Sequence, residues 1–215
     1  MASQRTAQAD QRRLQILSIA RDRFVADGYA KTSVSSIVRE AGIAQGTFYL
    51  YFKSKQGVLA ELRRGGVARY EAALLEVAEA AGPADLRLVQ VVARIVSVLR
   101  EQMPLERMFR AAETAEDTQR AALNGRKRLA RLAARFIEQG AADGTFAPCP
   151  PLLTAQLIVT LFDSVLYDAL AHGQPAGIEV VAEEGMRFAL RALGVSAVRI
   201  DALCEQVSFA EEVVR

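Results

Sequence analysis

The stretch TSVSSIVREAGIAQGTFYLYFKSK, residues 32–55, decides the fold of this chain. Val34, Ile37 and Val38 recur at helical spacing, which predicts a short helix with one apolar face. Gly42 suits the left-handed backbone that ends such a helix, and a second short helix is predicted directly after it. A helix, a glycine-containing turn and a second helix are the parts of a helix-turn-helix.

The second of these helices separates an inward side from an outward side. Phe48 and Phe52 lie four residues apart and are predicted to be buried together. Of the other side chains, an amide can read a base edge, hydroxyls suit phosphate oxygens, and lysines beside a helix start can hold a phosphate. The predicted DNA-binding residues are Thr32, Ser33, Gln45, Gly46, Thr47, Tyr49, Tyr51, Lys53 and Lys55.

These residues resemble the signature of the TetR family of bacterial transcriptional regulators. The resemblance covers about residues 12–62 and rests on Ala41-Gly42-Ile43, Gly46-Thr47-Phe48-Tyr49, Tyr51-Phe52 and Lys53-Ser54-Lys55. It implies an all-α protein, with a three-helix helix-turn-helix DNA-binding domain followed by a helical ligand-binding and dimerisation domain. We predict these domains at residues 1–57 and 58–215. Ala44 departs from the family by replacing a capping serine or threonine, a cap usually worth about 1 kcal/mol.

Composition excludes several other classes of protein. Apolar residues make up 51% and charged residues 24% of the 215, which is typical of an ordered globular chain. The first residues resemble no signal peptide, and no apolar run is long enough to span a bilayer, so a soluble cytoplasmic protein is predicted. Two distant cysteines and one histidine predict no disulfide, metal site or cofactor.

The charge is divided unevenly along the chain. Residues 1–64 hold eleven Lys/Arg against five Asp/Glu, or +6, whereas the remainder holds sixteen against twenty, or −4; together they give the formal +2. A basic part joined to an acidic part is expected when only the first meets phosphate.

The remaining pattern is helical throughout. The first helix is predicted from about residue 12, with Leu14, Leu17, Ala20 and Phe24 as its apolar stripe, widened by Ile16 and Ile19. Pro104 is predicted to end a later helix, with a separate short helix after it. Residues 195–215 are predicted to add one more helix.

Gly65 and Gly66 interrupt the helical pattern that follows the helix-turn-helix. Two readings stand equally. The pair is a hinge, since the resemblance implies that this connecting helix swings when ligand binds, or it marks a close helix packing that only glycine allows.

Two sets of apolar residues are predicted in the second domain. The late helices carry more apolar surface than one core needs, which favours a two-fold dimer interface, and the resemblance implies the same pair of helices. Its predicted residues are Leu157, Leu161, Val165, Val181 and Phe188. A ligand pocket is predicted among Leu62, Tyr70, Val92, Ile95, Met108, Phe109, Leu129, Phe136, Phe162 and Leu166, each of which is also explained as plain core.

The predicted function is a ligand-responsive repressor rather than an enzyme. As a homodimer it would bind a palindromic operator in double-stranded DNA and leave it when a lipophilic small molecule binds. A ligand-independent DNA-binding protein is the alternative. An enzyme with a helical substrate cavity is a weaker one, because no phosphate loop, metal-ligand spacing or Ser/His/Asp set is found.

Overall fold

The computed structural model describes residues 2–111, 116–172 and 177–207, and this part of the chain contains nine helices and no strands. The all-α prediction is confirmed. The helices are α1 (Ala2–Asp27), α2 (Val34–Glu40), α3 (Gln45–Tyr51), α4 (Lys55–Ala78), α5 (Ala84–Ala111), α6 (Glu116–Ala142), α7 (Pro151–His172), α8 (Gly177–Ala192) and α9 (Ala197–Gln206). Across those residues, no helix combines the length and the apolar character that crossing a bilayer requires.

The chain divides into two compact units. Unit 1 comprises Met1–Gly66 and Gln102–Ala122, and unit 2 comprises Val67–Glu101 and Leu123–Arg215. The predicted domain boundary between residues 57 and 58 falls inside α4, and the division at that point stays a prediction.

The core of unit 1 is built on one side of α1. Ile16, Ala20 and Phe24 follow each other at four-residue spacing and are fully buried. Leu14, which the predicted stripe includes, is instead 64% exposed. The stripe is displaced because Ile16, two residues further on, begins the row that meets the helix-turn-helix. The other buried members of this core are Ile37, Val38, Phe48, Phe52, Val58, Leu59, Met108 and Phe109.

Pro104 does not end a helix, contrary to the prediction. It lies inside α5, which continues to Ala111. Proline removes one helical hydrogen bond and crowds the preceding turn, a cost of about 3 kcal/mol. In unit 1 the residues after Pro104 make contacts that offset it, since Met108 and Phe109 are buried and Glu106 is held by a buried ion pair.

Unit 2 has its own apolar core, to which α5, α6, α7, α8 and α9 contribute. Val89, Phe136, Met186 and Leu190 are among its buried residues. α7 and α8 approach closely where Phe162 packs on Gly185: a Cβ at position 185 would lie 2.8 Å from the phenyl ring. Glycine is therefore required there for space.

The predicted additional helix exists as α9, and two ion pairs hold it. Arg199 Nε donates to Asp85 at 2.7 Å, and Arg187 Nη1 donates to Asp201 at 2.6 Å. Ile200 and Leu203 bury the inner side of α9. Residues 208–215 of the predicted tail lie outside the described part of the chain.

Candidate DNA-binding surface

α2 begins at a side-chain cap. Ser33 Oγ accepts a hydrogen bond from the Ser36 N–H at 3.1 Å, and Ser36 Oγ accepts one from the Ser33 N–H at 3.2 Å. This capping box satisfies amides that the helix itself leaves unpaired. It fixes where α2 starts, and so where the turn to α3 departs.

The turn between α2 and α3 depends on Gly42. Its φ is +62°, in the left-handed region. The Gly42 N–H donates to the Arg39 carbonyl at 3.3 Å, and the Ile43 N–H donates to the Val38 carbonyl at 3.1 Å. A Cβ at position 42 would meet nothing within 4 Å, so backbone conformation rather than space demands glycine.

α3 has one inward and one outward side. Phe48 is fully buried and Phe52 is 5% exposed, with ring centres 5.9 Å apart. Gln45 and Gly46 are exposed, and Tyr49 is 50% exposed. The phenylalanines therefore set the rotation of α3, which leaves an amide, a bare backbone and a phenol on the surface.

The start of α3 lacks the support that α2 has. Ala44 is its N-cap residue and makes no side-chain hydrogen bond. By contrast, Ser54 Oγ accepts from the Gly57 N–H at 3.1 Å at the start of α4. Gly57 has no side chain to return the bond, so only half a capping box forms there.

Thr32 is not on the outward surface, which corrects its predicted place there. It is 3% exposed, and its hydroxyl donates to the carbonyls of Gly28 at 2.9 Å and Arg23 at 3.3 Å. Thr32 therefore fastens the end of α1 to the start of α2. Ser33, the next residue, is exposed.

Lys55 is partly buried, and its ammonium group is turned inward. Nζ donates to the carbonyl oxygens of Tyr29 and Thr32, each at 2.8 Å, and lies 4.3 Å from the centre of the Tyr29 ring. Burial lowers the pKa of Lys55. The described contacts hold the α1–α2 turn, whereas Lys53, two residues earlier, is exposed.

Three further side chains complete this surface. Thr47 and Tyr51 are half-buried, and Tyr51 packs partly against the unit 1 core. Leu50 is 82% exposed and is not among the predicted DNA-binding residues. The signal was available: Leu50 stands midway between Phe48 and Phe52, hence on the opposite side of the helix.

Two arginines of unit 1 are paired with the Glu61 carboxylate on α4. Arg13 pairs with Glu61 at 2.7 Å and lies over the Phe52 ring. Arg64 also donates to Glu61. Partial burial opposes ionisation of Glu61, but the hydrogen bonds from Arg64 and Arg13 outweigh it, so the pKa of this carboxyl is lowered.

Comparison with known proteins agrees with this geometry. The sequence profile of the family described as bacterial regulatory proteins, tetR family, matches residues 16–62, which contain α2, α3 and the first part of α4. Residues 16–62 belong to the TetR family of bacterial regulatory proteins. This helix-turn-helix is therefore a DNA-binding domain of the kind found in bacterial transcriptional regulators.

Relatives with known sequences or structures extend the likeness. A fatty acid metabolism regulator protein of Bacillus subtilis is 31% identical over 86 residues, which is 40% of this chain and 44% of that protein. The aligned part is thus less than half of that relative. A TetR-family regulator from Syntrophomonas wolfei superposes with a TM-score of 0.74 at 22% identity, over 88% of this chain and 98% of its own. The transcriptional regulator FadR of Bacillus subtilis, solved with stearoyl-CoA, superposes with a TM-score of 0.68 at 20% identity, over 82% of this chain and 96% of its own.

The residues predicted to line a ligand pocket divide between the two units of the chain. In unit 1, Met108 and Phe109 are buried and Leu62 packs against the same core. In unit 2, Val92 and Phe136 are buried and Phe162 packs against them. The half-buried remainder is Tyr70, Ile95, Leu129 and Leu166. Their role in ligand binding stays a prediction.

Gly65 and Gly66 differ from each other. α4 is helical through both. Gly65 is exposed, and a Cβ there would meet nothing within 4 Å, whereas Gly66 is buried and its Cβ would lie 3.3 Å from Gln102 Oε1. The packing reading therefore applies to Gly66, and a hinge at this pair stays a prediction.

Most residues of the predicted dimer interface lie on the surface of unit 2. Leu157 is 64% exposed, Phe188 52%, and Leu161 and Val165 are each 38% exposed. Val181 is 9% exposed and packs within the protomer, so its predicted place in the interface is corrected. Its neighbour Val180, 49% exposed, occupies the outward position on α8.

Proposed function

We propose that this TetR-family protein is a repressor that binds a palindromic operator as a homodimer and is released by a lipophilic small molecule. The observation that carries the proposal is an apolar stripe along α7. Its four residues follow each other at four-residue spacing and are all exposed: Leu153 (55%), Leu157 (64%), Leu161 (38%) and Val165 (38%). A stripe of this kind is expected to be covered by a partner.

A second copy of the chain is the partner that suits DNA binding. A two-fold axis would pair α7 and α8 with the same helices of the other protomer, as self-complementary apolar interfaces usually do. It would also present two copies of α3 to one face of the duplex. Recognition helices spaced about one turn of DNA apart read a palindrome.

Within the surface of unit 1, the proposed roles follow from chemistry. Gln45 offers both a donor and an acceptor to a base edge in the major groove. The Tyr49 hydroxyl and the Lys53 ammonium would contact phosphate, which gives affinity and register rather than sequence choice. Gly46 leaves room for the backbone to approach the DNA closely.

The comparisons favour fatty acyl chains as the effector class. One relative is a regulator of fatty acid metabolism, and one structural neighbour was solved with stearoyl-CoA. An all-helical protein with Met and Phe in both cores has the side chains that accommodate a flexible apolar chain. The dimer would have one conformation that spans both half-sites of the operator and another that does not. An effector that binds the second conformation more tightly would lower operator affinity, by at most the ratio of its affinities for the two conformations.

The experiment is operator binding with and without candidate effectors. The operator is selected from genomic fragments, including the DNA that flanks the gene, and affinity is measured at one fixed salt concentration because phosphate contacts make it strongly salt-dependent. Stearoyl-CoA, the free fatty acid and unrelated lipophilic compounds are then added. Gln45→Ala serves as a variant impaired in DNA reading but not in effector binding.

Release by stearoyl-CoA but not by coenzyme A alone is the expected result. Specific DNA binding that none of the compounds changes would contradict the effector proposal and favour the ligand-independent alternative. Selection of non-palindromic sites by a monomer would contradict the homodimer.

A further inference from the structure

A cluster of polar side chains is buried in unit 1, and DNA binding does not explain it. This polar cluster consists of Arg63, which is 7% exposed, Gln102, 5%, and Glu106, 3%. Arg63 Nη1 donates to Glu106 Oε2 at 2.6 Å, and its guanidinium lies 5.1 Å from the centre of the Phe109 ring. Buried polar groups are retained only where something satisfies them.

Gln102 is the member of the cluster left unsatisfied. Its Nε2 atom is buried and has no hydrogen-bond partner in the part of the chain that the structure describes. Gln102 and Glu106 are four residues apart on α5, so both project from the same side of the helix. The ion pair satisfies Glu106, while the amide beside it keeps an unused N–H.

Gly66 makes room for this amide. A Cβ at position 66 would lie 3.3 Å from Gln102 Oε1 and 3.9 Å from the Phe109 ring. Even a methyl group would therefore press on the glutamine. The amide is consequently held beside α4 and an aromatic ring, where a polar group without a partner is costly.

We propose that Gln102 Nε2 donates a hydrogen bond to a carbonyl oxygen of the effector, such as that of an acyl thioester or ester. This inference rests on the proposed function and names the polar contact that the lipophilic ligand makes. The donor is a neutral amide. The buried guanidinium of Arg63, on α4, is already balanced by Glu106. A neutral acceptor therefore suits the cluster better than a carboxylate or phosphate, which the Glu106 carboxylate would repel.

The test compares two ligands that differ by one oxygen atom. Stearoyl-CoA has a thioester carbonyl, and S-octadecyl-CoA, a thioether, has a methylene in its place. Their dissociation constants are measured by calorimetry on the full-length wild-type protein and on Gln102→Met, which keeps an unbranched side chain of similar length but has no N–H. Gln56→Met, at an exposed glutamine of unit 1, is the matched control.

Wild type and Gln56→Met should bind the thioester about tenfold more tightly than the thioether, the typical effect of one unmet hydrogen bond. Gln102→Met should bind both with the weaker affinity. Its melting temperature without ligand should equal or exceed that of wild type, because an unsatisfied buried donor has been removed. A residue needed only for packing would show the opposite change in melting temperature.

Equal affinity of the wild-type protein for thioester and thioether overturns the inference and leaves the effector class intact. Unchanged discrimination in Gln102→Met overturns it as well. Failure of wild type to bind either ligand overturns the proposed effector class, and the inference with it. If Gln102→Met does not fold, the comparison of the two ligands on wild type alone still decides whether a carbonyl is recognised.

Discussion

At the scale of single residues, Lys53 and Lys55 show how position separates two identical side chains. Lys53 is exposed after α3, whereas Lys55 donates to the carbonyls of Tyr29 and Thr32. The sequence predicts a phosphate contact for both lysines. Spacing alone could not separate them, because the α1–α2 turn that Lys55 meets lies more than twenty positions earlier in the chain.

Replacing each lysine by methionine should give opposite results. Lys53→Met should leave the free energy of unfolding within about 0.5 kcal/mol of wild type. It should lower operator affinity and reduce the slope of log K against log salt by about 1, because one phosphate contact is lost. Lys55→Met leaves two carbonyls without their donor and should cost about 1–3 kcal/mol of stability. Urea denaturation and DNA binding across a salt series measure both. An unchanged stability in Lys55→Met would contradict its assignment to the turn.

Leu50 gives a second prediction at this scale. Its side chain is 82% exposed on the outward side of α3, where an apolar group can contact a thymine methyl. Leu50→Ala should leave stability unchanged and weaken operator binding by about 1 kcal/mol, or roughly fivefold. Val198→Ala is the matched control, since Val198 is also 82% exposed but lies on α9.

Operators in which single thymines are replaced by uracil identify the base involved. Removal of the contacted methyl group should weaken operator binding by the wild-type protein and leave operator binding by Leu50→Ala unchanged. If uracil substitution weakens both proteins alike at every position, Leu50 makes no such contact.

At the scale of elements, local chemistry predicted the helix-turn-helix well because its signals are local. Ser33 caps α2, Gly42 ends it, and Phe48 and Phe52 orient α3, each through neighbours a few residues away. Pro104 shows the limit of such reasoning. Its effect on α5 is opposed by the buried Arg63–Glu106 pair, whose members are 43 positions apart. No periodicity in the sequence reveals that pairing.

The ion pair between α5 and α9 predicts a pH dependence. Asp85 is 5% exposed and accepts from Arg199 and from the Leu86 N–H. Burial opposes its ionisation, but these hydrogen bonds outweigh that effect and lower its pKa. Because the folded pKa lies below the unfolded value of about 3.9, the stabilisation is complete above about pH 4 and is lost as the pH falls through the folded pKa.

Asp85→Asn should therefore lower the free energy of unfolding by about 1–3 kcal/mol at pH 7. The difference from wild type should shrink as the pH approaches 3. Urea denaturation at several pH values measures it, with Glu138→Gln, an exposed change on α6, as the control. A difference that stays constant from pH 7 to pH 3 would show that shape rather than charge holds α9 at this site.

At the scale of the whole molecule, the apolar stripe on α7 leads to a prediction about assembly. A carboxylate placed in an apolar dimer interface must be desolvated without a partner. Leu157→Glu should therefore shift the protein from dimer to monomer in sedimentation experiments. Loss of the linked second half-site should weaken operator binding by about 100-fold or more. Leu14→Glu, which changes a leucine of equal exposure, 64%, on α1, should leave the protein dimeric.

A dimeric Leu157→Glu that retains full operator affinity would contradict the assignment of this face. Monomers in both variants would instead mean that any added carboxylate disturbs the fold. Melting temperatures of the two proteins separate that outcome from specific loss of the interface.

The surface sites were harder to predict than the fold, and Val181 shows why. An excess of apolar residues on α8 was visible in the sequence, but it does not tell which of them face inward. Two adjacent valines differ in this respect, since Val181 is buried whereas Val180 is exposed. Gly65 and Gly66 likewise differ only in their three-dimensional surroundings. A Cβ at position 66 would meet Gln102, whereas a Cβ at position 65 would meet nothing within 4 Å.

The two-sided construction of α3 makes this regulator suitable for recoding. Its inward phenylalanines and the turn at Gly42 supply the scaffold, while Gln45, Gly46, Tyr49 and Leu50 contribute little to the core. A combinatorial library restricted to those four codons should yield mostly folded proteins. Selection from it against chosen promoters would give proteins that bind new operator sequences and keep the effector response proposed for the parent.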